Sequence, residues 1–151
     1  ITRFAGGLPI SLSQSGDYSL TGSGNTDVPD VVGKVVTQNP RKAGPNGPNT
    51  YFLPDAFAPG PTGQFGNANR QFFHGPGINV TDFGVSKRTV LKEAMSIEIR
   101  AEFFNIFNHA NFTNPNGDFN DSSFGVVTGV QTFGRNGSGG REGQISAKFY
   151  W

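Results

Sequence analysis

Glu98, Arg100 and Glu102 stand at alternate positions of one short segment, so an extended backbone puts all three side chains on the same face. Two carboxylates so placed invite general acid–base chemistry, but an arginine lies between them, and neither a nucleophile nor a third catalytic partner is near in sequence. An ion-pair ladder accounts for the spacing better, because each charge offsets the desolvation of its neighbour. The two histidines, His74 and His109, stand alone in separate stretches; with no cysteine and no His-x3-His spacing they predict loop hydrogen-bonding, not a zinc site. The run from Asn114 to Asp121 offers several oxygen ligands but lacks the Asp-x-Asp-x-Asp-Gly pattern and distal glutamate of a calcium loop, so turn chemistry is the expectation there. Residues 134–143 are glycine-rich yet carry no phosphate-binding lysine, which predicts a flexible tip. Asn-x-Ser/Thr triplets at Asn79, Asn111, Asn120 and Asn136 are what chance supplies in a chain this rich in asparagine. No catalytic residue, metal or cofactor is expected.

The elements that would position these side chains follow from hydrophobic period. Over 96–108, Ile97, Ile99, Ala101, Phe103 and Phe107 fall on one parity, and Ser96, Glu98, Arg100 and Glu102 on the other. Over 141–151 the alternation returns, with Ile145, Ala147, Phe149 and Trp151 set against Gln144, Ser146, Lys148 and Tyr150. A weaker pattern covers 79–89, where Thr81, Phe83 and Val85 oppose Asp82, Gly84 and Ser86. A fourth strand is expected near 1–13, interrupted by Gly6-Gly7 and Pro9 in the manner of a bulge or an edge. Residues 14–78 have no sustained period and are crowded with turn formers, predicting a very long loop; 109–140 predict a second, and 89–95 a short turn.

Composition agrees with strands. Glycine and proline together make 22 + 10 of 151 residues, and only 34% are hydrophobic, which argues against a large enzyme core. Phenylalanine, at 15, dominates the apolar set and favours pleated surfaces. A net charge of +1 supplies no field to collect nucleic acid. No stretch approaches the roughly 18 apolar residues of a membrane-spanning helix, so any meeting with a membrane is by strands. Twelve residues rising about 3.3 Å each at a tilt of roughly 40° cover the apolar band of about 25 Å.

Long loops at one end and a short turn at the other match the asymmetry of outer-membrane barrels. The expected fold is therefore all-β: an antiparallel transmembrane β-barrel, of which this is a C-terminal piece of about four strands. Loops 14–78 and 109–140 would be extracellular and turn 89–95 periplasmic. Closure needs about eight strands or more, so the others must come from elsewhere in a longer polypeptide, in keeping with a chain that opens on Ile1 without a signal sequence. Ile97, Ile99, Phe103, Ile145 and Phe149 would face lipid, and Glu98, Arg100 and Glu102 the lumen.

Several segments in order, Phe65-Gly-Asn-Ala-Asn-Arg70, Phe73-His-Gly-Pro-Gly-Ile-Asn79 and Arg100-Ala-Glu-Phe-Phe-Asn-Ile-Phe-Asn-His-Ala-Asn-Phe112, resemble the C-terminal end of Oar-like TonB-dependent receptors. Asn105-Ile-Phe-Asn108 is similar to the Asn-Leu-Phe-Asp segment that closes the penultimate barrel strand in such receptors. The resemblance spans nearly the whole chain. It implies a large Gram-negative outer-membrane protein with a carboxypeptidase-regulatory-like domain and a plug upstream, which binds a substrate outside and passes it through the barrel using TonB, without chemistry on it. It also implies a C-terminal strand read by the barrel-assembly machinery. Here Trp151 stands where the family usually ends in phenylalanine, with Phe149, Ala147 and Ile145 keeping the alternation.

The competing expectation is a secreted or surface β-sandwich binding carbohydrate or acting as an adhesin, in which Ile97, Ile99, Phe103 and Phe149 would form a dry core between two sheets. The two differ in what a charge costs. An arginine on a lipid face at mid-depth costs about 2–4 kcal/mol, whereas one in a lumen costs far less. Phe103→Arg is thus expected to reduce the yield of folded barrel in outer-membrane fractions well below that of Glu102→Arg; equal yields would contradict the facing.

Overall fold

The computed structural model describes residues 1–151 apart from 23, 25–26, 43–46, 70 and 133–138. The chain divides into two compact units, one made of Ile1–Ala5, Gly77–Asn111 and Val130–Trp151, the other of Gly6–Pro76 and Phe112–Gly129. All named strands pair antiparallel, and no α-helix occurs among the described residues.

In the first unit β1 (Thr2–Ala5) pairs with β6 (Ile78–Thr81), and β7 (Phe83–Lys92), β8 (Met95–Phe104) and β9 (Glu142–Tyr150) form a meander in the order β7-β8-β9. The segment expected over 79–89 is split at Asp82 and runs on to Lys92, because Lys87, Thr89 and Leu91 keep an extended, alternating backbone that the sequence pattern had lost. The turn expected over 89–95 shrinks to Glu93 and Ala94, with one register shift between Val90 and Lys92 beside it. Ten residues at about 3.3 Å each and a tilt of roughly 40° make each long strand about 25 Å tall. From Ser96 to Phe104 the β8–β9 ladder runs without a shift.

The single strand expected near 1–13 is corrected. β1 pairs with β6, whereas β2 (Pro9–Ser11) belongs to the second unit and pairs with β5 (Gln71–His74). Gly6-Gly7 and Pro9 break the strand between them. At Gly7 a Cβ would lie far inside contact distance of the Gly75 carbonyl, so only glycine admits that approach.

The second unit replaces a structureless loop with a core. Besides β2 and β5 it contains a short pair, β3 (Asp30–Val31) with β4 (Phe57–Ala58), and a 3-10 turn at Pro54–Ala56. Ile10, Leu12, Val28, Phe52, Ala56, Phe57, Ala68 and Phe124 are buried together. Phe52 is fully buried and meets Phe57, Phe73 and Phe124 edge-on at 5.6, 5.0 and 5.0 Å between ring centroids. Phe124 meets Phe57 and Phe119 in the same way at 5.2 and 5.4 Å. Each edge-on pair contributes about 0.5–1.5 kcal/mol beyond the burial of its area. Gly125, at φ +79, lets the backbone turn against Phe52, where a Cβ would meet the Phe52 carbonyl at 2.5 Å.

Polar side chains tie the rest of this unit by capping turns. Asp17 accepts from the Thr21 and Gly22 amides at 2.9 Å each, and buried Gln14 accepts from the Gly60 amide at 2.8 Å. The Ser19 hydroxyl and amide hydrogen-bond Asp27 and hold its carboxyl below the usual carboxylate range against the opposing effect of burial. A group with a depressed folded pKa stabilises above its unfolded value, about 4, and loses that contribution as pH falls through the folded one. Exchange protection of the Ser19 amide is accordingly expected to hold from neutral pH to about pH 4 and to fall below it, and Asp27→Asn should flatten that fall. Phe52→Ala should destabilise the unit by about 3–5 kcal/mol, seen as faster amide exchange at Gln38, Tyr51 and Leu53.

Candidate functional site

Register assembles a site that spacing alone had only begun to show. Rows running across β7, β8 and β9 read Gly84–Glu102–Gln144, Ser86–Arg100–Ser146, Arg88–Glu98–Lys148 and Val90–Ser96–Tyr150 on one face. Glu98, Arg100 and Glu102 do share that face. Arg100 lies 3.6 Å from Glu98 and 3.7 Å from Glu102, bridging both carboxylates. Gln144 Nε2 donates to Glu102, and the Tyr150 hydroxyl donates to Glu98 at 2.9 Å. Arg88 Nε donates to Ser96 Oγ at 2.9 Å while its guanidinium sits 4.5 Å from the centre of the Tyr150 ring.

The result is a connected polar network across three strands, bordering a hollow of about 240 Å³ lined by Glu98, Arg100, Glu102, Gln144, Ser146 and Lys148. Both carboxylates are engaged by Arg100. The arrangement presents fixed donors and acceptors along a wall, each held by a neighbour on another strand. Arg88, Gln144, Ser146, Lys148 and Tyr150 were absent from the sequence-derived ladder because membership depends on cross-strand register, which the period of a single strand does not give.

The other face carries Phe83–Phe103–Gly143, Val85–Ala101–Ile145, Lys87–Ile99–Ala147 and Thr89–Ile97–Phe149. Its aromatic residues gather at the two ends. The Phe103 ring leans over Gly143 at one, and Phe149 and Trp151 stack at 6.0 Å at the other. The apolar side chains are open: Ile99 is 51% exposed, Ile145 79%, Phe149 45% and Trp151 88%. A sandwich would have covered them.

A sequence model for the outer membrane beta barrel domain matches residues 1–144. The chain belongs to that family. Membership places this outer membrane beta barrel domain in the cell outer membrane and, with the open apolar face, replaces the sandwich alternative. No curated protein and no solved structure matches the chain.

The acidic run resolves into turns, whereas His74, expected in a loop, is the last residue of β5, which pairs with Pro9 of β2. Asp118 accepts from Ser15 and from the Asn120 amide, and Asp121 from the Ser123 amide and hydroxyl at 2.8 Å each, which holds the Asp121 carboxyl below its ordinary range. His74 and His109 fall in different units; the His74 carbonyl accepts from the Tyr51 hydroxyl at 3.1 Å. Among the described residues no three His, Cys, Asp or Glu side chains gather as a metal site. Asn136, with the rest of 134–138 in the glycine-rich stretch, lies outside the described residues, as does Arg70.

Asn105 has a role that its sequence did not disclose. Buried and at φ +49, it donates through Nδ2 to the His109 and Gly139 carbonyls at 3.0 and 3.2 Å and accepts the His109 amide at 3.0 Å. Its own amide donates to Asp82 Oδ1 at 2.9 Å. Asn108, at φ +52, accepts the Arg141 amide at 3.1 Å. The Asn105-Ile-Phe-Asn108 turn therefore clasps the loop-side ends of β7, β8 and β9 together. Asn105→Ala leaves these groups unsatisfied in a backbone that alanine resists, an expected loss of about 2–3 kcal/mol. Asn105→Gly, which accepts the positive φ, should cost less, both read as the midpoint of heat-induced mobility change on gels of the full-length protein.

Proposed function

We propose that the chain is wall and surface loops of an Oar-like, TonB-dependent outer-membrane receptor, which moves a substrate across the outer membrane and performs no chemistry on it. The observation that carries this reading is the segregation of faces: a hydrogen-bonded polar network on one side of β7–β9 and an exposed apolar belt with aromatic ends on the other. Family membership supports the barrel, and the ordered segments Phe65–Arg70, Phe73–Asn79 and Arg100–Phe112 support the receptor type.

In this reading Ile97, Ile99, Phe103, Ile145 and Phe149 meet outer-membrane lipid, while Glu98, Arg100 and Glu102 line the lumen. Loops 14–78 and 109–140 lie outside the cell and contribute the compact aromatic unit, so the substrate meets a preformed surface instead of ordering a coil, which lowers the entropic cost of capture. The turn at 93–94 lies in the periplasm. Phe149 and Trp151 end the strand that the barrel-assembly machinery reads. TonB engages a region outside residues 1–151, and neither cofactor nor nucleic acid takes part.

The test is uptake by cells carrying the full-length protein, with a panel of siderophores, oligosaccharides and peptides. Uptake of at least one substrate is expected to fall to background when TonB is removed and to return when it is restored. Uptake indifferent to TonB would leave a barrel but contradict this receptor class.

A further inference from the structure

Lys87 breaks the apolar face at mid-height. It stands in the row Lys87–Ile99–Ala147, with Val85 and Phe83 above it and Thr89 and Leu91 below. Among the described residues its ammonium has no ion pair or hydrogen bond. Four residues separate it from Phe83 and five from Lys92, which at about 3.3 Å per residue and a tilt of roughly 40° puts it about 10–13 Å from either border of the belt. That is farther than a four-carbon stem spans, so headgroup phosphates are out of reach.

The surroundings say on which side a partner must stand. On β8 and β9 Lys87's own row and the two beside it hold only Ile97, Ile99, Ala101, Ile145, Ala147 and Phe149. The polar pair Lys87 and Thr89 is confined to β7, whose other edge is unpaired among the described residues. The β1–β6 ladder runs to the top of that edge. Its last pair is Ile1 with Asp82, joined by two backbone hydrogen bonds of 2.8 and 2.7 Å, so a strand in line with β1 would pair along β7 in continuous register.

We propose that the open edge of β7 is covered by a strand of the same polypeptide lying in line with β1, which presents a carboxylate to Lys87 on the outward face at mid-height. An ion pair in hydrocarbon then takes the place of an isolated charge. The proposal rests on assigning the apolar face to lipid, and one control separates the two: Ile145→Lys, on the same face of β9 two strands from Lys87, tests the facing without touching the pair.

The experiment is reversible unfolding of the full-length protein in lipid vesicles, comparing Lys87→Met, Lys87→Arg and Ile145→Lys. With a carboxylate partner, Lys87→Met should lower the folding constant by roughly tenfold or more, because it strands the opposite charge, while Lys87→Arg stays near wild type. An unpaired lysine in lipid gives the opposite sign, a gain of roughly thirtyfold or more in Lys87→Met. A gain, no change, or an equal loss in Lys87→Arg would overturn the proposal. A neutral Ile145→Lys would overturn the facing instead.

Discussion

In hydrocarbon an unpaired backbone N–H or C=O costs several kcal/mol, and this single constraint orders everything else in the strand unit. It explains why β8 and β9 keep an unshifted ladder from Ser96 to Phe104, and why the one irregularity on β7 sits at the border of the belt, beside the Glu93-Ala94 turn. Continuous register has a second effect: it fixes every side chain to one face, so the charged residues of three strands meet and lock one another. A slip of a single residue would drive Glu98, Arg100 and Glu102 into the apolar belt and lift Ile97, Ile99 and Phe103 into the polar network.

Outside the strands the same polypeptide solves a different problem. Its long loops contain too many glycines and prolines for further strands of useful length, and short pairings such as β3–β4 bury little backbone. Phenylalanines converging on Phe52 supply the core, and asparagine and aspartate side chains satisfy turn amides that no ladder reaches. A surface made this way is packed without being regular, which suits a proposed role in presenting a binding face.

Sequence showed the strands because a polar and an apolar face write opposite demands on alternate residues: Ile97 and Ile99 against Glu98 and Arg100 is a pattern that needs no partner to be seen. The second unit was hidden because Phe52, Phe57, Phe73 and Phe124 obey no period; they converge only when the backbone folds. Lys87 was passed over for another reason: it shares the parity of Phe83 and Val85, and a charge there breaks the apolar pattern by which that face was recognised, while pairing with Ile99 places it among apolar rows. Asn105 stood inside a segment singled out by resemblance, yet its work depends on a left-handed backbone and on contacts to Asp82 and Gly139 that spacing cannot reveal.

The central claim is that alternate residues of β8 look into different solvents. Nitroxide labels placed singly from 97 to 103 in the full-length protein in lipid vesicles measure this directly, by collision with oxygen, which concentrates in hydrocarbon, and with a water-soluble nickel chelate. High oxygen access at 97, 99, 101 and 103, with high nickel access at 98, 100 and 102, is the predicted result. Equal access at odd and even positions, or protection of the odd ones from both reagents, would contradict it.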